Sequence, residues 1–342
     1  MSYNIALNFE DGVTRFISCK EDETVLDAAY RHQINLPMDC SDGVCGACKG
    51  TCSEGDYDLG EEYLDEALSD LEKNQRKILT CQMLPQTDCV IEIPAASHLC
   101  KTGVQKHTAQ VTKLEQLSAS SLELTLALEQ GINFLPGQYV NLEVPGSSGQ
   151  VRAYSFTSLP GSSDASFLIR NVPNGLMSTW LTQTAQPGAQ LELTGPQGIF
   201  YLRKVERPVL MLAGGTGLAP FLSMLELLKT TGCDHPVHLI YGVTQDEDLV
   251  CVATLEQLAA ELPWFSFKTV VASAESSHPR KGYVTQHMED APLQDGNVDI
   301  YLCGPPAMVD AVMHYLDSEN LQPNSFHYER FTPSVTKEAA AS

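Results

Sequence analysis

Residues 40–48 have the sequence Cys-Ser-Asp-Gly-Val-Cys-Gly-Ala-Cys, and a further cysteine, Cys81, lies far along the chain. Three closely spaced cysteines with gaps of four and then two residues, and a distant fourth, have the spacing of plant-type [2Fe-2S] sites. A short loop supplies three of the four thiolates only if its backbone wraps around the cluster. Gly43, Gly46 and Gly50 permit positive φ angles there and let backbone N–H groups point at sulfur. The predicted ligands are Cys40, Cys45, Cys48 and Cys81.

Two other interpretations of these cysteines are a zinc site and buried structural thiols. Zinc sites typically use paired C-x2-C motifs, and a second such motif is missing from the sequence. Cys52 is the main rival ligand, but it follows Cys48 at a distance that the plant-type pattern does not use. Cys19, Cys89 and Cys100 are expected to be core or surface thiols.

The charge of the chain narrows its class of partner. Its 342 residues include 21 Lys and Arg against 43 Asp and Glu, a net charge of −22. Residues 1–100 alone hold 7 basic and 19 acidic side chains. This balance argues against nucleic acid or a membrane as partner and favours a basic protein surface, although a merely solubilising surface would have the same composition.

The cysteine count and the hydrophobic pattern indicate the compartment. The first residues lack the basic segment and apolar stretch of a secretory signal, and no apolar run approaches the roughly 18 residues that cross a bilayer. Eleven cysteines without an export signal indicate a reducing compartment, with the cytoplasm as the expected location.

Three blocks of different hydrophobic pattern follow one another, and the length allows a domain for each. The first, residues 1–100, contains the cysteine loop and short strand-like stretches. The second, residues 106–203, has many short alternating stretches separated by Gly, Pro and Ser, which predicts a barrel or a sandwich. The third, residues 207–335, alternates continuous apolar runs with helical segments, which predicts a doubly wound α/β domain.

The expected elements of each block follow from its periodicity. In the first block we expect a helix at 23–32 and strands at 5–9, 14–18 and 90–93. In the second we expect a helix at 174–184 and strands at 111–114, 122–126, 139–142, 153–156, 167–169 and 191–193. In the third we expect strands at 208–213, 237–242, 267–271 and 299–303 and helices at 218–228, 254–262 and 305–316.

The second block carries the sequence Arg-Ala-Tyr-Ser at residues 152–155, on a predicted strand. In a strand, Arg152 and Tyr154 point to one face and Ser155 to the other. A flavin needs an aromatic face to stack on, a hydrogen bond near its N5 atom and a guanidinium for its diphosphate. These three side chains offer such groups, although on a barrel strand Arg and Tyr are usually surface features.

Together with the third block, this motif resembles the ferredoxin–NADP reductase superfamily over residues 106–331, whose members bind flavin with an R-x-Y-S motif. The resemblance implies that Tyr154 stacks on the isoalloxazine and that Ser155 lies at N5. It also implies that Arg152 and a helix N-terminus hold the pyrophosphate. FAD is expected rather than FMN. The other residues expected to line the flavin site are Arg170, Asn171, Gly175 and Ser178.

Near its start, the third block carries the sequence Gly-Gly-Thr-Gly-Leu-Ala-Pro at residues 214–220, after an apolar strand and before a helix. Glycines let the backbone approach a pyrophosphate, and a helix N-terminus favours its charge. The segment differs from the G-x-G-x-x-G fingerprint because Pro220 takes the sixth position, and a structural turn is the alternative. It matches the G-G-T-G-x-A-P form of the reductase superfamily. The candidate nucleotide contacts are Gly214, Gly215, Thr216, Gly217 and Pro220.

The choice of nicotinamide cofactor can be argued from charge. Residues 243–248, Val-Thr-Gln-Asp-Glu-Asp, follow the second parallel strand, where the adenosine ribose is expected. Three carboxylates and no cation suit a free 2′-hydroxyl and would repel a 2′-phosphate. Ala274 stands where NADPH-using members of the superfamily tend to place arginine. NADH is therefore expected, with Asp246 as a contact, although Arg280 and Lys281 could swing toward a phosphate.

Two segments near the C-terminus complete the expected site. Cys303-Gly304-Pro305 ends the last apolar strand, and in the superfamily this turn lies where the nicotinamide approaches the flavin. A plain strand-to-helix turn is the alternative. Glu329 and Phe331 lie in a segment that resembles the terminal strand of the superfamily, whose acidic and aromatic residues flank the flavin. The candidate catalytic residues are Ser155, Cys303 and Glu329.

The order of cluster, flavin and nicotinamide domains, with a β-grasp ferredoxin domain first, resembles reductase components of aromatic ring-hydroxylating dioxygenases of the benzoate, toluate and anthranilate type. The resemblance implies that electrons pass from NADH to FAD, to the cluster, and to an oxygenase component of the Rieske type that docks near the acidic ferredoxin domain. Two alternatives stay open: a reductase that serves a soluble monooxygenase or a carbohydrate dehydratase, and a redox-sensing regulator without turnover. We expect no catalytic acid–base triad.

Overall fold

The computed structural model describes residues 2–38, 43–44, 46–60, 63–65, 67–100, 105–288 and 293–331. The chain forms two compact units, of which the first comprises Met1–Val104 with Gln197–Ile199 and the second comprises Gln105–Pro196 with Phe200–Ser342. The expected barrel and nucleotide blocks therefore share one unit. The domain boundaries at 100, 106, 203 and 207 stay a prediction. No helix among the described residues is both long and apolar enough to cross a membrane.

The first unit is built on a five-stranded mixed sheet that packs against a helix. Its elements are β1 (Ser2–Phe9), β2 (Thr14–Lys20), α1 (Val25–Arg31), β3 (Lys49–Glu54), β4 (Tyr57–Asp58), α2 (Asp70–Asn74), β5 (Lys77–Leu79), β6 (Leu84–Pro85) and β7 (Cys89–Ile93). The strand order is β2-β1-β7-β3-β5, with β1 parallel to β7. Thr24 caps α1 by accepting a hydrogen bond from the Asp27 N–H, and the helix buries Val25, Ala28 and Ala29. This is the predicted β-grasp arrangement.

The first half of the second unit is a closed barrel. Its elements are β8 (Lys106–Ser118), β9 (Ser121–Leu128), β10 (Tyr139–Glu143), β11 (Val151–Ser155), β12 (Asp164–Arg170), α3 (Leu176–Gln183) and β13 (Gln190–Gln197). The sheet order is β11-β10-β13-β8-β9-β12. An antiparallel bridge between Phe156 and Phe167 joins the two edge strands. The sequence pattern allows a barrel or a sandwich, and the bridge shows that the sheet closes on itself.

The second half of this unit is a doubly wound parallel sheet. Its elements are β14 (Val209–Gly214), α4 (Ala219–Thr231), β15 (Val237–Val243), α5 (Val252–Glu261), β16 (Phe265–Val271), β17 (Asp299–Gly304), α6 (Pro306–Ser318) and β18 (Ser325–Arg330). The strand order is β16-β15-β14-β17-β18, and the paired strands are parallel. The order reverses between β14 and β17, so ligands are expected at the carboxyl ends of these two strands.

Contacts within the second unit fix the barrel against the parallel sheet. Leu168 and Phe200, from the barrel half, belong to the apolar core on one face of the parallel sheet. The Ser223 hydroxyl on α4 donates a hydrogen bond of 2.6 Å to the Ser158 carbonyl. Distances between the candidate flavin residues and the candidate nicotinamide residues can therefore be read directly from the structure.

Candidate functional site

Two of the four predicted cluster ligands meet in the first unit. Cys48 and Cys81 are 4% and 6% exposed, and their Sγ atoms lie 3.2 Å apart. Cys48 precedes β3 and Cys81 follows β5, and these strands pair with Lys49 opposite Leu79. The pairing of two short strands thus brings together thiols that are distant in sequence. Cys40 and Cys45 lie outside the described residues, and their role as ligands stays a prediction.

The rival ligand Cys52 has different partners. It is fully buried on β3, opposite Ile91 of β7, and its Sγ lies 3.2 Å from the Glu54 carbonyl oxygen and 3.7 Å from the Arg76 guanidinium. Hydrogen bonds from the Cys89 thiol and from Arg76 lower the pKa of the Cys52 thiol. The Cys52 side chain is thus held by contacts with β7 and Arg76.

The residues around Cys48 and Cys81 fit a [2Fe-2S] cluster. Gly43 and Gly46 both adopt a φ of 73°, the left-handed conformation that favours glycine. A Cβ at Gly46 would lie 3.0 Å from the Ala67 carbonyl oxygen, so this loop approaches its neighbour without room for a side chain. The Thr80 hydroxyl is buried and has no hydrogen-bond partner in the described part of the chain. Cys48 and Cys81, with the predicted Cys40 and Cys45, would hold the cluster through their thiolates.

The R-x-Y-S motif lies on β11 at the edge of the barrel sheet. Ser155 is buried, and Tyr154 packs partly buried against the barrel core. Burial raises the pKa of the Tyr154 phenol, which therefore stays neutral. The Arg152 guanidinium donates a hydrogen bond of 2.7 Å to the Val151 carbonyl. A neutral aromatic ring and a guanidinium from one strand suit a flavin and its diphosphate.

The start of α3 provides backbone groups for a diphosphate. Gly175 caps this helix, and a Cβ there would lie 3.1 Å from Val172. The first N–H groups of a helix have no intrahelical partner and attract anions. The Ser178 hydroxyl accepts from the Val172 N–H at 2.9 Å and donates to the Arg170 carbonyl at 3.3 Å, so it holds the loop in place. The Asn171 amide similarly donates to the Ala119 carbonyl at 3.0 Å.

Ser178 and Asn171, which are predicted to line the flavin site, stabilise the segment between β12 and α3 through bonds to its backbone or to a neighbouring turn. Arg170 is exposed at the end of β12. Their direct contact with the cofactor stays a prediction.

The glycine-rich turn after β14 contains two kinds of glycine. A Cβ at Gly214 would lie 2.6 Å from the Met308 sulfur, and one at Gly217 would lie 2.3 Å from the Cys303 carbonyl oxygen. These two glycines are required because the turn packs against the end of β17. Gly215 has a φ of 56° and nothing within 4 Å of the Cβ position, so its backbone is open to a ligand. Thr216 lies in the same 3-10 turn, and Pro220 is buried in the first turn of α4.

Asp246 is held by a residue from a different loop. The Ser276 hydroxyl donates a hydrogen bond of 2.6 Å to Asp246 Oδ1, and the His278 N–H donates to the same hydroxyl at 2.9 Å. Ser276 is 5% exposed, whereas Asp246 is exposed just beyond β15. Asp248 instead accepts hydrogen bonds from the Ser120 hydroxyl and from the Gln245 N–H. Ser276 therefore orients the Asp246 carboxylate through one of its two oxygens.

The three candidate catalytic residues converge although they are distant in sequence. Cys303 on β17 lies opposite Glu329 on β18, and the Ser155 hydroxyl lies 3.5 Å from Glu329 Oε2. Burial and the nearby Glu329 carboxylate raise the pKa of the Cys303 thiol well above its usual range, so this thiol stays protonated. The Phe331 N–H donates to the Gly304 carbonyl at 2.9 Å, which places Phe331 beside the turn that ends β17.

Two residues that contact candidate site residues were not predicted from the sequence. The Ser276 hydroxyl binds Asp246, and the Thr80 N–H binds the Cys48 carbonyl. Both act through contacts with distant segments, and no local motif marks them.

Three protein-family models match the chain, in the order that the sequence predicts. The 2Fe-2S iron-sulfur cluster binding domain matches residues 8–86, the oxidoreductase FAD-binding domain matches residues 108–201, and the oxidoreductase NAD-binding domain matches residues 211–314. With the fold and the site geometry, they define the class: this is an iron–sulfur flavoprotein oxidoreductase of the ferredoxin–NADP reductase superfamily. The predictions of a [2Fe-2S] cluster, FAD and a nicotinamide cofactor are confirmed.

Relatives of known activity share almost the whole chain. The electron transfer component of toluate 1,2-dioxygenase from Pseudomonas putida is 54% identical, over 98% of this chain and 100% of the relative. The electron transfer component of 2-halobenzoate 1,2-dioxygenase from Burkholderia cepacia is 48% identical, over 98% and 99%. Among solved structures, the Amycolatopsis cytochrome P450 reductase GcoB has a TM-score of 0.71 and 30% identity, over 96% of this chain and 99% of its own. The chain belongs to the family of aromatic dioxygenase electron transfer components.

Proposed function

We propose that this protein takes electrons from NADH and delivers them to the terminal oxygenase of an aromatic ring-hydroxylating dioxygenase that acts on benzoate-type acids. The observation that carries the proposal is the 54% identity to a toluate dioxygenase component over the full chain, with all three cofactor domains present. The cytochrome P450 reductase shares the architecture at only 30% identity. This difference favours a dioxygenase over the monooxygenase alternative.

The cofactors and the protein have different roles in this proposal. When bound, FAD and the [2Fe-2S] cluster supply the conversion of a two-electron donor into single-electron transfers. Cys48 and Cys81, with Cys40 and Cys45, hold the cluster in this proposal, and Tyr154 and the N-terminus of α3 hold the flavin. The chain's own contribution is to bind, to orient and to exclude water.

Asp246 selects NADH in this proposal. A carboxylate accepts hydrogen bonds from ribose hydroxyls and repels a 2′-phosphate. Ser276 is the positioning residue, because its buried hydroxyl occupies one carboxylate oxygen and leaves the other for the ribose. Lys281, which could have reached a phosphate, lies with its Nζ 3.2 Å from the Ala274 carbonyl oxygen.

Ser155, Cys303 and Glu329 surround the reacting atoms in this proposal. The Cys303 thiol is fully buried and protonated, so it offers a packing surface and no nucleophile. Ser155 and Glu329 form a hydroxyl–carboxylate pair at 3.5 Å that can orient a polar group of the cofactor or of NADH. We assign none of the three a covalent step.

The oxygenase partner is proposed to be of the Rieske type and to dock near the acidic first domain. Residues 1–100 carry 19 of the 43 acidic side chains and 7 of the 21 basic ones, and the cluster ligands lie in the same segment. A basic partner surface would be steered to this region by long-range attraction. The proposal thus places electron exit and partner recognition in one part of the chain.

Reconstitution tests the function. The holoprotein is mixed with a purified Rieske-type benzoate oxygenase, and benzoate-dependent NADH oxidation is measured. We expect NADH oxidation coupled to product formation, whereas transfer to a soluble monooxygenase or to a dehydratase instead would contradict the proposal. The variant Cys81→Ser separates transfer through the cluster from oxidation of NADH. It should abolish transfer to the oxygenase and keep NADH oxidation by ferricyanide, because FAD and NADH bind elsewhere in the chain.

A further inference from the structure

Thr80 carries a hydroxyl group that no described protein group satisfies. The residue is 1% exposed, and its Oγ1 atom has no hydrogen-bond partner among the described residues. Burial of a hydroxyl is unfavourable unless it is hydrogen-bonded, and nearly all buried polar side-chain atoms in proteins have a partner. The side chain therefore indicates that a hydrogen-bond acceptor belongs beside it.

The backbone of Thr80 fixes it next to the two described cluster ligands. Its N–H donates a hydrogen bond of 3.0 Å to the Cys48 carbonyl, and its own carbonyl accepts one of 2.9 Å from the Leu26 N–H. Cys81 is the next residue, and its Sγ lies 3.2 Å from that of Cys48. A β-branched side chain has few rotamers, which restricts the positions that the hydroxyl can take beside these ligands.

The missing acceptor can be named by its chemistry. A [2Fe-2S] cluster brings inorganic sulfides and thiolate sulfurs, which carry negative charge and accept hydrogen bonds. A hydroxyl is among the donors that suit such an acceptor. We propose that the Thr80 hydroxyl donates a hydrogen bond to a sulfur atom of the cluster and thereby raises the reduction potential of the cluster. This inference rests on the cluster assignment within the proposed function.

The sign of the effect follows from charge. Reduction adds one negative charge to the cluster, so a hydrogen bond to sulfur stabilises the reduced form more than the oxidised form. Removal of the hydroxyl should therefore make the cluster harder to reduce. Thr80 is a positioning and tuning residue, and its backbone role should survive any side chain of similar shape.

The test compares Thr80→Val, which keeps the shape, with Thr80→Ser, which keeps the hydroxyl. The full chain with FAD is titrated at a series of fixed potentials, and the reduced cluster is quantified by its EPR signal. For Thr80→Val we expect the ratio of reduced to oxidised cluster at a given potential to fall by about threefold to tenfold, where tenfold corresponds to about 59 mV. Thr80→Ser should stay within about twofold of the unchanged protein.

Thr51→Val is the matched control. Thr51 lies on β3 in the same sheet, but its hydroxyl already accepts a hydrogen bond of 3.0 Å from Lys77 Nζ. This variant loses a threonine hydroxyl without touching the proposed bond, so its cluster potential should not move. A similar fall in Thr51→Val and Thr80→Val would overturn the proposal, because the effect would then be a general one of the sheet.

Other outcomes are equally decisive. An intact cluster with an unchanged potential in Thr80→Val overturns the proposal. If Thr80→Val assembles no cluster, Thr80→Ala is titrated in its place. Loss of the cluster in both variants but not in Thr80→Ser supports the proposal, and loss in all three overturns it in favour of packing. Failure of the proposed function has a different signature: the unchanged protein would lack the [2Fe-2S] signal or would not serve a Rieske oxygenase.

Discussion

Asp246 and Ser276 lie 30 residues apart, yet a hydrogen bond of 2.6 Å joins them. The serine is itself fixed by the His278 N–H, so the carboxylate is oriented before any nucleotide arrives. Orientation of this kind reduces the conformational cost of binding. At the scale of single residues, we therefore expect selection of the cofactor to depend on a buried side chain that need not touch the cofactor.

Ser276→Ala should raise KM for NADH about threefold to tenfold and leave kcat nearly unchanged, because a hydrogen bond contributes about 1 kcal/mol to positioning. The discrimination against NADPH should shrink as Asp246 becomes mobile. Steady-state kinetics with ferricyanide as acceptor measure both quantities. Ser276→Thr should restore the values, and Ser318→Ala on the exposed face of α6 should not change them. An unchanged KM in Ser276→Ala would remove Ser276 from cofactor selection.

Some of these residues could be predicted from the sequence and others could not. Asp246 was predicted because three carboxylates in a row after an apolar strand have an electrostatic meaning. Ser276 and Thr80 could not be predicted, because their roles arise from contacts between distant segments and a single serine or threonine has no pattern. Ser178 also forms two hydrogen bonds to the loop before α3, which only a structure can show, and its direct contact with the cofactor stays a prediction.

At the scale of elements, the parallel sheet was the easiest part to predict. Its four apolar runs match β14, β15, β16 and β17 to within one or two residues, because strands that are buried on both faces are continuously apolar. The short strands β3 and β5 were missed. They contain polar residues such as Lys49 and Lys77 and owe their existence to pairing with each other and with β7.

The parallel sheet also contains a buried histidine that should make it sensitive to acid. His238 on β15 has its Nδ1 atom 2.8 Å from the Ser266 hydroxyl, and its Nε2 atom is buried with no partner among the described residues. Burial, followed by the charges of Lys268 and Arg280, lowers the pKa of His238 to about 4. Unfolding exposes the ring, whose pKa then returns to about 6.5.

The unfolded state therefore binds more protons between pH 6.5 and 4, and the stability that neutral His238 provides above pH 6.5 is lost as pH falls through this window. We expect His238→Asn to reduce the loss of stability between pH 7 and 4.5 by up to about 2 kcal/mol. Thermal unfolding followed by flavin fluorescence measures the effect. His314→Asn, on an exposed position of α6, should keep the original pH dependence. Equal pH profiles for all three proteins would contradict the assignment.

At the scale of the whole molecule, the net charge of −22 is the property that a partner meets first. A chain with twice as many acidic as basic side chains attracts a basic surface over long distances and repels other acidic proteins. The amino-acid composition alone predicts this long-range electrostatic attraction, without knowledge of the fold. It does not identify the patch that makes contact, because contact depends on which side chains lie around the point of electron exit.

Electron transfer to the oxygenase should therefore slow as salt is added. Between about 20 and 300 mM NaCl we expect the second-order rate constant to fall about tenfold, because the screening length shortens below the size of the charged surface. Stopped-flow absorbance of the oxygenase cluster measures this rate. Reduction of a neutral quinone by the same protein should change little. A transfer rate that is independent of salt would argue against an electrostatic docking surface.

The two backbone turns that end β14 and β17 touch through glycines that leave no room for a methyl group. Because of this contact, some positions of the nucleotide site tolerate substitution much less than others. An engineer who wishes to change the coenzyme preference would find almost no allowed sequence variation at Gly214, Gly217 and Gly304. The loops after β15 and β16 are largely exposed apart from the buried Ser276, and their exposed positions would accept a diverse library. Evolution of coenzyme use in this family should accordingly be recorded in the outer loops, while the inner turns stay the same.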